Sequence, residues 1–166
     1  MDLWIRKTTV GDSGWIAGVL KEHWGGDCII SNGSKYYPQL LEGPWKVDGF
    51  IARLGERVGL LSYDVCNGDM EIVLLQALRK HQGIGTQLLD AAVMEARQQR
   101  CHRIHLTTTN DNVDGLRFYQ RRGFSMCALH IDAMAKARQL KSGIPLLGDY
   151  EIPMDHEIEL ERILLP

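Results

Sequence analysis

The feature that most constrains this chain is a change of hydrophobic period around residues 74–86, Leu-Leu-Gln-Ala-Leu-Arg-Lys-His-Gln-Gly-Ile-Gly-Thr. Before it, Val58 to Cys66 and Met70 to Leu75 are apolar runs of strand length. After it, Ile84, Leu88, Ala91 and Ala92 recur at helical spacing within Gly83 to Gln99, and Arg97 and Arg100 stand near the end, where cations suit the helix dipole. Arg103 to Thr108 then reads as a strand again. A strand, a helix and a strand in that order require a right-handed crossover between parallel neighbours.

The rest of the chain predicts antiparallel partners for that pair. Gly49 to Leu54, Val58 to Cys66 and Met70 to Leu75 are separated only by Gly55-Glu56-Arg57 and Asn67-Gly68-Asp69, which read as hairpin turns. Leu3 to Thr8 is a first strand, and Gly11-Asp12-Ser13 offers N-caps for a helix carrying Trp15, Ile16, Val19, Leu20 and Trp24. Residues 25–45 read as loops around a short helical piece near Tyr37 to Leu41, a plausible substrate-binding lid. Asp111 or Asn112 caps a helix to about Arg122, Gly123 ends it, and Phe124 to Ile131 is a strand. Ala133 to Leu140 looks helical, and the remainder of 132–155 is loop. In His156 to Leu164, Ile158 and Leu160 alternate with Glu157, Glu159 and Glu161, which predicts a closing strand with one wet face. The expected fold is α/β (α+β): a mixed, mainly antiparallel sheet of six to seven strands with helices on both faces. Residues 1–166 are expected to form a single domain, a length that buries about 70% of the unfolded surface.

Composition narrows the partners. The net charge of -2 creates no field that would gather nucleic acid or anionic lipid. No apolar run reaches signal-peptide or membrane-spanning length, so the expected location is cytoplasmic, with no membrane partner. Cys28, Cys66, Cys101 and Cys127 lack a C-x-x-C pair, so they read as reduced packing residues, and no metal site is expected.

The basic, glycine-bearing turn is suited to phosphate. The first amides of a helix have no intrahelical partner and lie at the positive end of its dipole. Gln82, Gly83, Gly85 and Thr86 offer such amides, and Lys80 or His81 adds charge. The segment lacks the Gly-Lys-Ser/Thr ending of a P-loop, and Leu88 occupies the third glycine position of the dinucleotide fingerprint. Glycines at 83 and 85 also suit tight packing of helix on sheet.

Lys80-His81-Gln82-Gly83-Ile84-Gly85 is similar to the Arg/Gln-x-x-Gly-x-Gly/Ala segment of the GNAT superfamily of N-acetyltransferases, with lysine in place of the usual first residue. Asn112-Val113-Asp114-Gly115-Leu116-Arg117-Phe118-Tyr119-Gln120-Arg121-Arg122-Gly123-Phe124 resembles that family's Asn-x-x-Ala-x-x-x-Tyr-x-x-x-Gly-Phe, with Gly115 replacing the alanine. The likeness is specific from Met70 to Phe124, loose over the first 66 residues and poor over 132–155. It implies a parallel strand pair splayed at its C-terminal end, acetyl-CoA as cosubstrate, and homodimers as a frequent assembly. It further implies that Leu74, Leu75, Gln76 and Ala77 pair with pantetheine, with the Leu75 amide on the thioester carbonyl. The pyrophosphate would lie on Gln82, Gly83, Ile84, Gly85 and Thr86, and Asn112 would touch the pantetheine arm or hold the splayed backbone.

The same resemblance places Tyr119 beside the coenzyme sulfur, where a phenol of reference pKa about 10 is a proton donor at neutral pH. For the base, Glu71 is the first candidate, because some family members carry a glutamate in this strand. Strict alternation would put Met70, Ile72 and Leu74 on one face and Glu71 on the other, where it is either base or solvated charge. His105 is a second candidate. Glu22, Asp27 and Glu42 either attract a cationic amine or merely solvate the surface. No cysteine has a suggestively placed histidine, which favours direct transfer in a ternary complex. The expected activity is acetylation of a primary amine of a small molecule. A protein lysine or N-terminal acetyltransferase and a non-catalytic acyl-CoA sensor are the alternatives.

Overall fold

The computed structural model describes residues 2–164; Met1, Leu165 and Pro166, the ends of the expected 1–166 domain, lie outside the described residues. In chain order the elements are β1 (Trp4–Lys7), α1 (Ser13–His23), β2 (Ile29–Ser31), β3 (Ser34–Tyr36), β4 (Asp48–Leu54), β5 (Glu56–Cys66) and β6 (Asp69–Ala77). They continue with α2 (Ile84–Gln98), β7 (Arg103–Thr109), α3 (Val113–Gln120), β8 (Ser125–His130), α4 (Ala133–Leu140) and β9 (Glu157–Ile163). Seven strands form one sheet in the order β1-β4-β5-β6-β7-β9-β8, while β2 and β3 make a separate hairpin. Every pair in the large sheet is antiparallel except β6–β7, as the crossover through α2 requires. Among the described residues no helix is long and apolar enough to cross a membrane.

The two faces of the sheet bury different sets of residues. On one, Ile84, Leu88, Leu89 and Ala92 of α2 and Tyr119 of α3 pack on Leu61, Tyr63, Met70, Ile72, Ile104, Leu106 and Leu160. On the other, Ile16, Val19 and Leu20 of α1 and Ile29 of β2 pack on Ile51, Leu60, Val73 and Leu74. Each fully buried Leu or Ile contributes about 1.5–3 kcal/mol by leaving water, so both faces are strongly held.

Leu74 belongs to the second set, contrary to the face expected from strict alternation. The cause is a bulge: Ser62 pairs with Leu74 and Tyr63 with Ile72, leaving Val73 as an extra residue. The extra residue resets the period, so Ile72 faces α2 while Val73 and Leu74 both face α1. It also marks where β6 leaves β7. Parallel pairing covers only Asp69 to Ile72 against Arg103 to Leu106. Beyond that, β6 stays on β5 as far as Ala77, and β7 stays on β9 as far as Thr109.

Other local expectations also change. Asp12 precedes α1, but its side chain makes no cap bond there. Instead it is fully buried, accepting hydrogen bonds from Arg6 Nη1 and Nη2, Arg57 Nε and the Thr9 amide. Tyr37 to Leu41 is a single turn closed by Leu40 N–H on Tyr37 O, not a helical piece, because Pro38 and one i→i+3 bond do not propagate a helix. The loop around it contains the β2–β3 hairpin, whose Asn32 and Gly33 both take positive φ. This Asn-Gly step between Ile29-Ile30 and Lys35-Tyr36 is the strongest short-range hairpin signal. The expected wet face of β9 is largely covered: β9 is an interior strand, and Glu157 and Glu159 are 5% and 9% exposed.

Candidate active site

The turn that opens α2 has the exposed main chain that an anion requires. Gly83 is the N-cap, at φ 72°, a left-handed conformation that glycine adopts without strain, and no side chain caps it. The first helical bond runs from Gln87 N–H to Gly83 O. Among the described residues the amides from Gly83 to Thr86 therefore have no intrahelical acceptor, as at any helix start. A Cβ at Gly83 would meet nothing within 4 Å, whereas one at Gly85 would lie 3.3 Å from Phe118 Cζ. The two glycines thus differ: Gly85 serves packing of α2 on α3, and Gly83 serves backbone shape and access. Lys80, His81 and Gln82 are exposed, and neither Lys80 nor His81 has an ion-pair partner among the described residues.

Sequence reasoning passed over Arg122. Its guanidinium donates to Thr86 Oγ1 from Nε at 3.1 Å and Nη2 at 2.6 Å, donates to Phe118 O, and stacks on the Phe118 ring at 3.8 Å. It joins the end of α3 to the start of α2 and sets a cation beside the open amides.

Where β6 and β7 part, a cleft of about 460 Å³ opens. Leu74, Leu75 and Gln76 line one wall, Leu106 to Thr109 the other, and Asn112 and Tyr119 lie along it. Ala77 does not line the cleft and is paired with Gly59 at the strand end. Residues from the opposite side of the sheet also reach it: Trp24 after α1, Ser31 in β2, Met134 in α4, Met154 and Glu157. The cleft therefore passes through the gap in the sheet.

Tyr119 is 9% exposed and sits edge-on to Phe118 and Phe124, with ring centroids at 5.1 and 5.7 Å. Burial pushes its phenol well above the usual tyrosine range. It is therefore protonated throughout the neutral range. Asn112 has a defined structural task, accepting from Gly115 N–H at 3.1 Å as the α3 cap and donating to Thr108 Oγ1 at 2.8 Å. A Cβ on residue 115 would collide with the Asn112 amide, which explains glycine at that position.

Glu71 is not a solvated strand-end charge. Its two oxygens accept from Ser31 Oγ and Tyr36 Oη, each at 2.7 Å, fastening the β2–β3 hairpin over the sheet. His105 stands opposite Glu71 in the register, 3.7 Å from Glu159 at Nδ1, and does not line the cleft. Glu22, Asp27 and Glu42 also lie outside it. Glu157, read from sequence only as part of a wet face, lines the cleft and accepts from Asn32 N–H. Burial raises its carboxyl above the usual glutamate value, against the lowering effect of the Asn32 amide and His130. The missed signal was positional: a strand inserted between two others has no solvent face beneath a covering hairpin. Residues 144–155 form a loop pinned by Arg138 to three carbonyls and by Asp149 N–H to Asp111 Oδ2, bringing Asp149 and Met154 to the cleft. Among the described residues no group of three or more His, Cys, Asp or Glu side chains is arranged to hold a metal.

A mixed sheet with one splayed parallel pair, an open helix start beside it and a cleft through the gap define an acyl-coenzyme A transferase architecture. Residues 31–124 match the Acetyltransferase (GNAT) family. The chain is 36% identical over 146 residues to the uncharacterized protein YdhI of Bacillus subtilis (strain 168), covering 86% of this chain and 87% of that one. The chain belongs to the GNAT acetyltransferase family. Its fold is similar to that of the IAA acetyltransferase from Bacillus cereus ATCC 14579, with a TM-score of 0.74 at 19% identity over 98% of this chain and 100% of that one. It is also similar to a GNAT family acetyltransferase from Elizabethkingia anophelis solved with acetyl-CoA bound, with a TM-score of 0.69 at 17% identity over 98% of each chain.

Proposed function

We propose that this protein transfers the acetyl group of acetyl-CoA to a primary amine of a small molecule, directly and without an acyl-enzyme. The observation that carries this reading is the through-sheet cleft lined by Tyr119 and the buried carboxylate of Glu157, together with a helix start whose amides from Gly83 to Thr86 have no intrahelical acceptor. Acetyl-CoA bound in the related Elizabethkingia protein supports the choice of donor.

The chain's own groups fit that donor. Gly83 to Thr86 offer amides and dipole to a diphosphate, with Arg122 and Lys80 as nearby cations and His81 as a neighbouring imidazole. Among the described residues the edge of β6 facing away from β5, from Val73 onward, has no strand partner, and it suits an extended amide-bearing arm. The thioester supplies an activated acyl carbon and a thiolate leaving group. Attack by the amine lone pair forms the C–N bond as the C–S bond breaks. A carboxylate on the far side of the sheet takes the surplus N–H proton, and Tyr119 protonates the leaving sulfur. The products are an N-acetyl amine and free coenzyme A, and solvent returns the proton from carboxylate to tyrosine.

The test is thiol release from acetyl-CoA against a panel of primary amines, followed by initial-rate kinetics. Intersecting double-reciprocal lines are expected. Parallel lines, or label retained on Cys66 or Cys127, which are the exposed cysteines, would replace direct transfer by an acyl-enzyme route.

A further inference from the structure

We infer that Glu157, rather than Glu71, takes the proton from the acceptor amine, and that the acceptor is a small monoamine whose apolar body occupies a second cavity meeting the cleft at that carboxylate. This rests on the acetyl-transfer reading above.

The second cavity, about 310 Å³, is lined by Ile30, Asn32, Ile131, Ala133, Ala137 and Glu157, with His130 and Lys136. Glu157 and Ile30 line both cavities, so the carboxylate stands at the junction. The two glutamates differ in what their oxygens do. Both oxygens of Glu71 already accept from hydroxyls, and using either as a base would give up a hydrogen bond that holds the β2–β3 hairpin. In Glu157, Oε2 accepts from Asn32 N–H at 3.1 Å, while Oε1 makes no hydrogen bond among the described residues, and the residue lines both cavities. A buried carboxylate with one oxygen oriented and one free is prepared to accept a proton.

Thr107 and Asp111 also line the cleft, and Thr107 Oγ1 and Asp111 Oδ1 are buried without a hydrogen-bond partner among the described residues. The charged groups that act on Glu157 are Glu71 on β6 and His130 on β8, with Asp111 and Asp149 lining the same cleft and Lys136 on α4 lining the second cavity. His130 Nε2 lies 3.2 Å from Glu159 Oε2, which leaves Glu157 as the carboxylate at the junction free of an ion pair. The apolar Ile30, Ile131, Ala133 and Ala137 suit a hydrocarbon body, and Lys136 at that cavity repels a second cation. This selects a monoamine over a polyamine.

In the reaction the amine nitrogen bonds to the acetyl carbon, its surplus proton passes to Glu157 Oε1, and the thiolate leaves with the Tyr119 proton. Raised by burial, Glu157 becomes an anion only above the usual glutamate range, so kcat rises with pH through that raised value.

The experiment measures thiol release by the full chain with phenethylamine and with spermidine, and acetyl-CoA affinity by calorimetry. E157Q should lower kcat by about 100-fold or more and remove the acid-side limb, with acetyl-CoA affinity unchanged. E157D should restore part of the rate and the limb. A133W, which fills the second cavity, should raise KM for phenethylamine and leave KM for acetyl-CoA unchanged. Retained turnover and pH profile in E157Q, an A133W effect confined to acetyl-CoA, or faster acetylation of spermidine than phenethylamine would overturn the inference. In each of these cases acetyl-CoA binding and turnover by the wild type would still uphold acetyl transfer.

Discussion

The start of α2 and the hairpin-covered part of the cleft are built by different means. At the start of α2 the open polar groups are main-chain amides from one contiguous run, Gly83 to Thr86. In the cleft and the hairpin over it they are groups gathered from distant segments: Ser31 and Tyr36 with Glu71, Asn32 with Glu157, and Asp149 with Asp111. A contiguous backbone site depends on a few residues whose spacing is fixed by helix geometry. A gathered side-chain site depends on the sheet order and on loops that no local pattern specifies. The first arrangement suits a ligand portion shared across a family, and the second suits a portion that differs among its members.

Substitutions that affect one end and spare the other sharpen this comparison. The largest effect is expected at the wall between them. Tyr119→Phe removes the proton donor and keeps the ring among Phe118 and Phe124, so kcat should fall by about 100-fold or more with acetyl-CoA affinity retained. Equal losses in both would make Tyr119 a packing residue.

Next comes Asp12, which does not line the cleft and is held by Arg6 and Arg57. Hydrogen bonding to Arg6 is the main cause holding its carboxyl well below the usual aspartate range. A carboxyl depressed in the folded state stabilises above its unfolded pKa, near 3.8, and loses that contribution as pH falls toward the depressed value. Asp12→Asn should cost about 2 kcal/mol at neutral pH, and its deficit in thermal unfolding should shrink below about pH 4. Neither end of the cleft should lose ligand affinity. A third, smaller effect belongs to Asn112. Asn112→Ala should cost about 1 kcal/mol by uncapping α3, read as a lower Tm. If instead acetyl-CoA affinity fell with Tm unchanged, Asn112 would be a ligand contact and not a strut.

The same contrast explains what the sequence disclosed. The seven-stranded mixed sheet and its parallel pair followed from Asn67-Gly68, the apolar runs on either side, and the change of period at Gly83, all local signals. The amide-bearing turn and Tyr119 were legible because family motifs are contiguous there. Leu74 was assigned to the wrong face because a bulge at Val73 is a tertiary accommodation between β5 and β6, with no signature in the run Ile72-Val73-Leu74-Leu75. Glu157 was hidden because its burial comes from insertion of β9 between β7 and β8 and from the Asn32 turn above it, 125 residues away in the chain. The Asn32-Gly33 turn itself was readable, and pairing it as a hairpin would have placed a cover over that face.

The most direct test of the central claim is calorimetric titration of acetyl-CoA into wild type, Gly83→Asn and Gly83→Asp. Asparagine and aspartate both tolerate the left-handed backbone, with φ 72° at this position, so they differ chiefly in charge. The account predicts a modest loss for Gly83→Asn and a loss at least about tenfold greater for Gly83→Asp, because a carboxylate at the open amides repels the diphosphate. Equal affinities for the two variants, or no measurable affinity in the wild type, would contradict it.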